Sequence, residues 1–212
     1  MQKYLLSAFL LFSTLVAAQE SRDEKEPVFK PALVAGFNAT QVDGDDLAGY
    51  RKIGLNAGGS AFIRLPKNFS VNFEILYSQK GSRTSGNQTI NSDTYKLILD
   101  YVDVPVIFNY HDKDAQKNDV AIFGLGVIVN SLVRQKELIG GVECEGGDCN
   151  TYKTLGLEAV ASVTFVFAKH FGINLRFTYS LLNIASSNVP YSNLKNGGQR
   201  NNALALRMMY FF

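Results

Sequence analysis

From residue 32 onward, apolar and polar residues alternate along the chain with a period of two. In the clearest run, FSVNFEILYSQK (residues 69–80), large apolar residues occupy the odd positions 69–77, and Ser, Asn and Glu occupy positions 70, 72 and 74. Such alternation is typical of β-strands with one apolar face. Eight strands are predicted on this basis, at residues 32–40, 52–65, 69–80, 101–110, 120–130, 154–167, 171–182 and 202–212.

The connections between these segments differ in length in a regular way. PKN, HDKDAQKND and AKH are short, whereas residues 41–51, 81–96, 131–153 and 183–201 are longer. In an antiparallel meander the short and long connections then lie at opposite ends, as in outer-membrane barrels with short periplasmic turns and long external loops. Strands of about ten residues also suit a tilted span of the bilayer. The sequence therefore predicts an all-β, eight-stranded antiparallel up-and-down transmembrane β-barrel over residues 32–212, located in the bacterial outer membrane.

The composition of the two faces indicates which one meets lipid. The polar face is rich in Gly, Ser, Asn and Thr, and its charges have both signs, which suits a narrow interior filled by side chains better than a water-facing surface. Because buried charges must pair, we expect an interior network. Its predicted members are Arg64, Glu74, Asp103, Glu158, Arg176 and Arg207. The alternative is a soluble ligand-binding barrel with the apolar face inside.

The last segment, NALALRMMYFF, is predicted to close the barrel against the first strand. Its aromatic residues Tyr210 and Phe212 resemble the C-terminal signal that barrel-assembly machinery recognises. Two details within the strands need explanation. Pro105 lacks an N–H inside the fourth segment, so a bulge is predicted there. Asp100 has the parity of the apolar face, so the membrane segment is expected to begin at Tyr101.

The N-terminal region has the form of an export signal. Lys3 precedes an apolar run to Val16, and VAA places small residues before a cleavage site between Ala18 and Gln19. Residues 1–18 are therefore predicted to be a secretory signal peptide rather than an anchor, and residues 19–31, charged and with two prolines, a flexible periplasmic leader. The net charge of +2 without a basic cluster predicts no binding to nucleic acid.

Few residues suggest chemistry. Cys144 and Cys149, in CEGGDC, are predicted to form a disulfide in an external loop, because a metal site would need four ligands and no His lies nearby. The acidic run DGDD (residues 43–46) is read as a solvated loop in preference to a Ca²⁺ site, since it lacks EF-hand spacing. His111 and His170 are predicted to lie in periplasmic turns. No Gly-rich phosphate loop precedes a helix, so no cofactor is predicted.

The segment GFNATQVDGDD, the Gly-rich second strand, the motif E-x-L-Y-S-Q-K-G (residues 74–81) and the Y-x-x-x-P spacing of Tyr101 and Pro105 resemble the PorT-like outer-membrane β-barrel family of Bacteroidetes. The resemblance covers residues 32–110. It implies an outer-membrane barrel; the type IX secretion role in which PorT itself is implicated does not follow from the resemblance.

The expected function is that of a non-enzymatic outer-membrane barrel with a structural or accessory role. The expected partners are outer-membrane lipid and the barrel-assembly machinery, and the PorT resemblance implies docking with a secretion or surface complex. An outer-membrane barrel enzyme acting on lipid or peptide stays open as an alternative, as does the soluble barrel. Such an enzyme would need catalytic groups at the external rim, and both histidines are predicted at the other end.

Overall fold

In a computed structural model, the chain is described for residues 28–45, 47, 49–84, 94–144, 149–186 and 198–212. These residues form nine strands. They are β1 (Phe29–Asp43), β2 (Lys52–Leu65), β3 (Phe69–Lys80), β4 (Tyr95–Lys113), β5 (Asp119–Ile139), β6 (Val142–Glu143), β7 (Leu155–Ala168), β8 (Phe171–Ser180) and β9 (Arg200–Phe211). No helix among the described residues is long and apolar enough to cross a membrane.

Eight of the strands close into one antiparallel barrel. The hydrogen-bonded order is β1, β2, β3, β4, β5, β7, β8 and β9, and β9 returns to β1. The two-residue β6 pairs only with the end of β5, through Leu138↔Glu143 and Ile139↔Val142. The predicted all-β, eight-stranded antiparallel barrel is confirmed.

The closing pair β1–β9 runs from Ala32↔Phe211 to Asp43↔Arg200. It extends to the last residue, because the Phe212 N–H donates to the Pro31 carbonyl at 3.1 Å. Closure of this kind leaves no unpaired strand edge in the spanning region, which lipid would not tolerate. Phe29–Pro31 belong to β1, so the last three residues of the predicted leader, residues 19–31, are part of the barrel. Residues 1–27, with the predicted signal peptide and its cleavage site, lie outside the described residues.

The apolar face of the barrel points outward. Ile75 and Leu125 are 68% and 69% exposed, whereas polar residues of opposite parity are buried in the interior. At the periplasmic end, the outward aromatic rings touch one another, and the contacts join Phe69 to Phe108 and Tyr110, Phe167 to Phe171, and Tyr210 to Phe171 and Phe212. An apolar belt with an aromatic border is typical of a transmembrane barrel.

The hairpin of β4 and β5 is much longer than predicted. Paired residues continue from the spanning region out to Tyr95↔Ile139. On this external part the polarity reverses, because Leu97, Leu99 and Tyr101 point inward and are buried. Once the strands leave lipid, burying apolar residues inside is again favourable. The two strands therefore extend beyond the segments that an outward apolar face predicts.

The bulge expected at Pro105 is absent. Pro105 pairs with Ile128 in the regular register of β4 and β5. The ladder between β3 and β4 is continuous in register from Phe73↔Val106 to Leu76↔Asp103, and only the pairs between them are missing. The proline thus interrupts hydrogen bonding on the β3 side without inserting a residue. The register shifts of β4–β5 lie at Asp100/Tyr101 and at Asp112/Lys113.

Candidate functional site in the barrel interior

A central ion network spans the barrel interior. Arg176 on β8 donates to both carboxylate oxygens of Glu74 on β3, each at 2.8 Å. Arg207 on β9 donates to the same carboxylate at 3.2 Å and to Asn174 Oδ1 at 2.6 and 3.0 Å. Asn72 supplies a further donor to Glu74 at 2.8 Å. Strands on different sides of the barrel are therefore joined through one buried carboxylate.

A second network lies nearer the external side. The Lys80 ammonium contacts Glu158 at 2.7 Å and Asp103 at 3.0 Å. It also lies 5.2 Å from the centre of the Tyr101 ring. The three cations and three carboxylates of the two networks balance in charge, which is how ions buried in a narrow interior are made tolerable.

The structure thus brings five of the six predicted network residues into two adjacent clusters. It also adds Lys80, which the sequence reading left out although it shares the parity of Ser70, Asn72, Glu74 and Ser78. The alternation along β3 therefore already indicates that Lys80 faces the interior.

The sixth predicted residue, Arg64, lies apart from these networks. It is at the periplasmic end of the interior, where its guanidinium contacts Asp119 at 3.1 Å. The Asp119 carboxylate also lies 3.2 Å from His111 Nδ1. His111 is therefore a buried residue of β4, and its predicted place in a turn is wrong. His170 lies in the β7–β8 turn as predicted, with Nδ1 2.7 Å from the Phe211 carbonyl oxygen.

Ser70, His111 and Asp119 are arranged like a nucleophile, base and carboxylate. Ser70 Oγ lies 2.7 Å from His111 Nε2, on the ring side opposite Asp119. However, Ser70 is 0% exposed, and the cavity beside His111 and Asp119 measures about 10 Å³. That volume is close to what one water occupies. The arrangement can fix the histidine tautomer and brace the barrel, but it has no room for an acyl substrate.

Apolar clusters border the charged layers. On the external side, eight buried residues pack together, namely Val42, Leu47, Tyr95, Leu97, Leu99, Tyr101, Tyr152 and Ile184. Towards the periplasm a second cluster contains Ala32, Val34, Phe62, Leu76, Ile122, Met209 and Phe211. The interior therefore contains an apolar cluster on each side of the ion networks and a smaller one, of Ile107, Ile128 and Val160, at their level.

The external loops carry the predicted disulfide. Cys144 and Cys149 are bonded, with their Cα atoms 5.8 Å apart. The buried Glu137 carboxylate accepts the Asn150 N–H at 2.9 Å and its side-chain amide at 2.6 Å, which ties the segment after the disulfide to β5. The Glu137 carboxylate and both sulfur atoms lie within 4.8 Å of one another. Because the sulfur atoms are joined to each other, this cluster is a covalent staple in the present state.

The first external connection is less solvated than its acidic sequence predicts. Asp45 is half-buried, and one of its oxygens accepts the Leu47 N–H at 2.9 Å. Burial, with a smaller contribution from the negative charge of Asp43, raises the pKa of the Asp45 carboxyl to about 6, against the lowering effect of the hydrogen bond from Leu47. Asp46, the last residue of DGDD, lies outside the described residues.

Tyr210 and Phe212, the predicted assembly signal, both lie on the outer wall at the periplasmic end of the closing strand pair. Their rings are in edge contact, with centroids 5.1 Å apart. Phe212 is about half exposed. This places the two rings where a partner in the periplasm or the membrane can reach them.

Comparisons with known proteins agree with this architecture. A model of the outer membrane protein beta-barrel domain matches residues 18–186. No curated protein sequence matches the chain at a significant level. The structure is similar to that of Ail, the attachment invasion locus protein of Yersinia pestis, with 14% identity, a TM-score of 0.49, and coverage of 86% of this chain and 98% of Ail.

Two further barrels are similar to a comparable degree. Neisserial surface protein A has 14% identity and a TM-score of 0.45, with 89% of this chain and 100% of that protein covered. Acinetobacter baumannii CarO has 10% identity and a TM-score of 0.47, with 90% and 100% covered. The family match extends over most of the chain, including seven of the eight barrel strands. The chain therefore belongs to the outer membrane protein beta-barrel domain family and is a protein of the bacterial outer membrane.

Proposed function

We propose that this protein is a non-enzymatic, non-conducting barrel that serves as a structural or accessory component of the outer membrane and docks with a partner through its external end. The observation that carries the proposal is the filled interior. The Glu74–Arg176–Arg207 network crosses the barrel, and apolar clusters border the charged layers. A solute would have to break buried ion pairs to pass, and doing so leaves uncompensated charge in the barrel interior.

The rival functions have less support. The outer-membrane location excludes the soluble ligand-binding barrel. An enzyme on lipid or peptide would need a reachable nucleophile, and the Ser70–His111–Asp119 arrangement is buried at the periplasmic end. We therefore favour a role that depends on the surface of the barrel.

The external end has the features of a docking platform. β4 and β5 extend beyond the lipid-facing belt, β6 and the disulfide stiffen their tip, and the external apolar cluster supports the hairpin from inside. A preorganised surface binds with a smaller entropic penalty than a disordered loop. The PorT-like sequence motifs suggest a secretion or surface complex as the partner.

Two measurements test the proposal. Purified protein in planar bilayers is expected to show no steady ion conductance, and a stable open channel would contradict the filled interior. Photo-cross-linkers placed on the exposed Val142 and Glu143 in intact cells are expected to capture a discrete protein partner. The matched control is a cross-linker at Phe123, which faces lipid. If Val142 and Glu143 capture no more than Phe123, the docking role is wrong.

A further inference from the structure

A ladder of polar side chains joins β2, β3, β4 and β5, from the buried Lys52 to the exposed Arg134 on the outer wall. The Lys52 ammonium donates to Gln79 Oε1 at 2.9 Å, and Gln79 Nε2 donates to Asp100 Oδ1 at 2.9 Å and to the Tyr77 hydroxyl at 3.4 Å. Arg134 Nε donates to the other Asp100 oxygen at 2.6 Å. We call these five residues the rim ladder.

The rim ladder lies at the border between lipid and water. On β4 the even positions face outward, and Val102, Val104 and Val106 are exposed in the lipid-facing belt. Asp100 is the next outward position beyond Val102, towards the external side. Tyr77 is likewise the last outward aromatic residue of β3. Tyrosines at this level are typical of the headgroup region, so the ladder is expected to meet headgroups of the outer leaflet.

The arrangement prepares Arg134 to bind an anion. Asp100 is 2% exposed and both of its oxygens accept hydrogen bonds, so its position is fixed. The Arg134 side chain is 63% exposed, and its Nε donates to Asp100, with the Tyr77 hydroxyl as a further neighbour of the guanidinium. The Nη side of this exposed guanidinium can offer a planar fork to an anion. With Lys52, the ladder has two cations for one carboxylate.

The same wall continues as a positively charged strip above the ladder. Arg83 and Lys96 lie opposite each other in an antiparallel bridge between the extensions of β3 and β4. Neither makes an ion pair with a described residue. Lys136 on β5 also lies on this wall and contacts Glu143. The excess of cations attracts negatively charged headgroups towards the ladder.

From this geometry we propose that the rim ladder binds the phosphate group of an outer-leaflet lipid. The Arg134 Nη groups donate to two phosphate oxygens, the Tyr77 hydroxyl contacts a third, and Asp100 positions Arg134, whereas the buried Lys52 adds positive charge from behind Gln79 without touching the lipid. The planar fork of arginine matches two phosphate oxygens better than a single ammonium does. Free phosphate has the same chemistry, but a lipid phosphate is held at this height by its own acyl chains.

The experiment measures lipid retention by the full chain in detergent, using native mass spectrometry. The probes are a glycolipid carrying a phosphate monoester and its dephosphorylated form. We expect the phosphorylated lipid to be retained selectively and Arg134→Gln to weaken retention by roughly tenfold, as expected for loss of a charge-assisted contact. The control Arg200→Gln removes the same charge from β9, on the other side of the barrel, and should leave retention unchanged.

The variant Asp100→Asn distinguishes the role of Asp100 in positioning Arg134 from the effect of its negative charge on binding. Removing a carboxylate makes the wall more positive, so charge alone predicts tighter binding, whereas loss of the Arg134 anchor predicts weaker binding. We expect weaker binding, and tighter binding would overturn the positioning role of Asp100. Heat-modifiable gel mobility verifies that each variant is folded.

Three results would overturn the lipid site itself. They are equal retention of the dephosphorylated lipid, retention unaffected by Arg134→Gln, and complete displacement of the lipid by inorganic phosphate in moderate excess, which would identify a site for soluble anions.

Discussion

Arg176 and Glu74 lie on strands that are not neighbours, yet they meet inside the barrel through two hydrogen bonds of 2.8 Å. Three strands, β9, β1 and β2, separate them along the wall. The contact therefore links the β2–β3 hairpin to the β8–β9 hairpin, and it can form only when the sheet has curved into a closed cylinder. This makes the pair a reporter of closure.

Glu74→Gln should destabilise the barrel more than Arg176→Leu. Without the carboxylate, Arg176 and Arg207 are left as two buried cations, and breaking a buried ion pair typically costs about 3–5 kcal/mol. After Arg176→Leu, by contrast, Glu74 keeps Arg207 and Asn72 as donors. Urea unfolding in lipid vesicles, followed by gel mobility, measures both free energies of unfolding. Equal and small effects would mean that the network does not support the barrel.

Lys80→Met should also be strongly destabilising. It leaves Asp103 and Glu158 facing each other without their shared cation. Lys136→Met is the matched control, because Lys136 forms a partly exposed pair with Glu143 and such pairs contribute less than about 1 kcal/mol. The same unfolding assay compares them. Restoring stability with Lys80→Met plus Glu158→Gln would confirm that unpaired charge is the cause, and failure to restore any would contradict it.

The strands were predictable where a single rule applied along their length. In the spanning region, apolar residues face lipid, so period two alone identified all eight barrel strands. The rule failed for Leu97, Leu99 and Tyr101, because above the membrane the apolar side of β4 turns inward. The same limit affects β5, whose external half was read as a loop.

The alternation of residues along each strand predicts which side chains face the interior, but it does not predict which of them pair. Parity placed Glu74, Arg176 and Arg207 inside, yet which residues pair depends on how the strands are staggered around the closed barrel. His111 was misplaced because the polar residues after it resemble a turn, while the strand continues to Lys113. The contact of His111 with Ser70 joins neighbouring strands, and its contact with Asp119 joins β4 to β5 next to their turn; neither contact leaves a sequence motif.

The first external connection should loosen as the pH rises from about 4 to about 6. Burial raises the pKa of Asp45 from 3.8 to about 6 in the closed loop. Between these values the closed state binds more protons than the open state, so closure weakens with rising pH, by at most about 1.4 kcal/mol per pH unit. Above this range the Asp45 carboxyl is ionised in both states, so closure weakens no further. Hydrogen exchange of the Leu47 amide, corrected for the intrinsic rate, measures the opening.

Asp45→Asn is the control for this pH effect, since the amide does not titrate in the window. The variant should show exchange protection that is independent of pH between 4 and 6. A wild-type loop with protection that rises over this range would mean that the carboxylate is better stabilised when the loop is closed, contrary to the expected sign.

Removing the disulfide should affect the external tip and leave the barrel intact. Cys144→Ser with Cys149→Ser opens a loop with a sequence separation of five, and loop-closure entropy assigns such a small loop about 2 kcal/mol. The expected result is faster hydrogen exchange at Asn150, which Glu137 holds against β5, with unchanged urea unfolding of the spanning strands. A fall in global stability would show that the tip and the barrel unfold as one unit.

Phe212→Ala tests whether the aromatic end of β9 acts in assembly or only in packing. Phe212 is exposed at the periplasmic end and contacts Tyr210, so its loss removes little buried area from the finished barrel. If assembly machinery reads this ring, less folded protein should reach the outer membrane in cells, while refolding of the purified chain into detergent stays normal. Phe167→Ala removes another exposed ring at the same end and should leave both quantities unchanged. Equal loss of refolding and of cellular assembly would instead assign Phe212 to barrel stability, because a recognition signal has no effect where the machinery is absent.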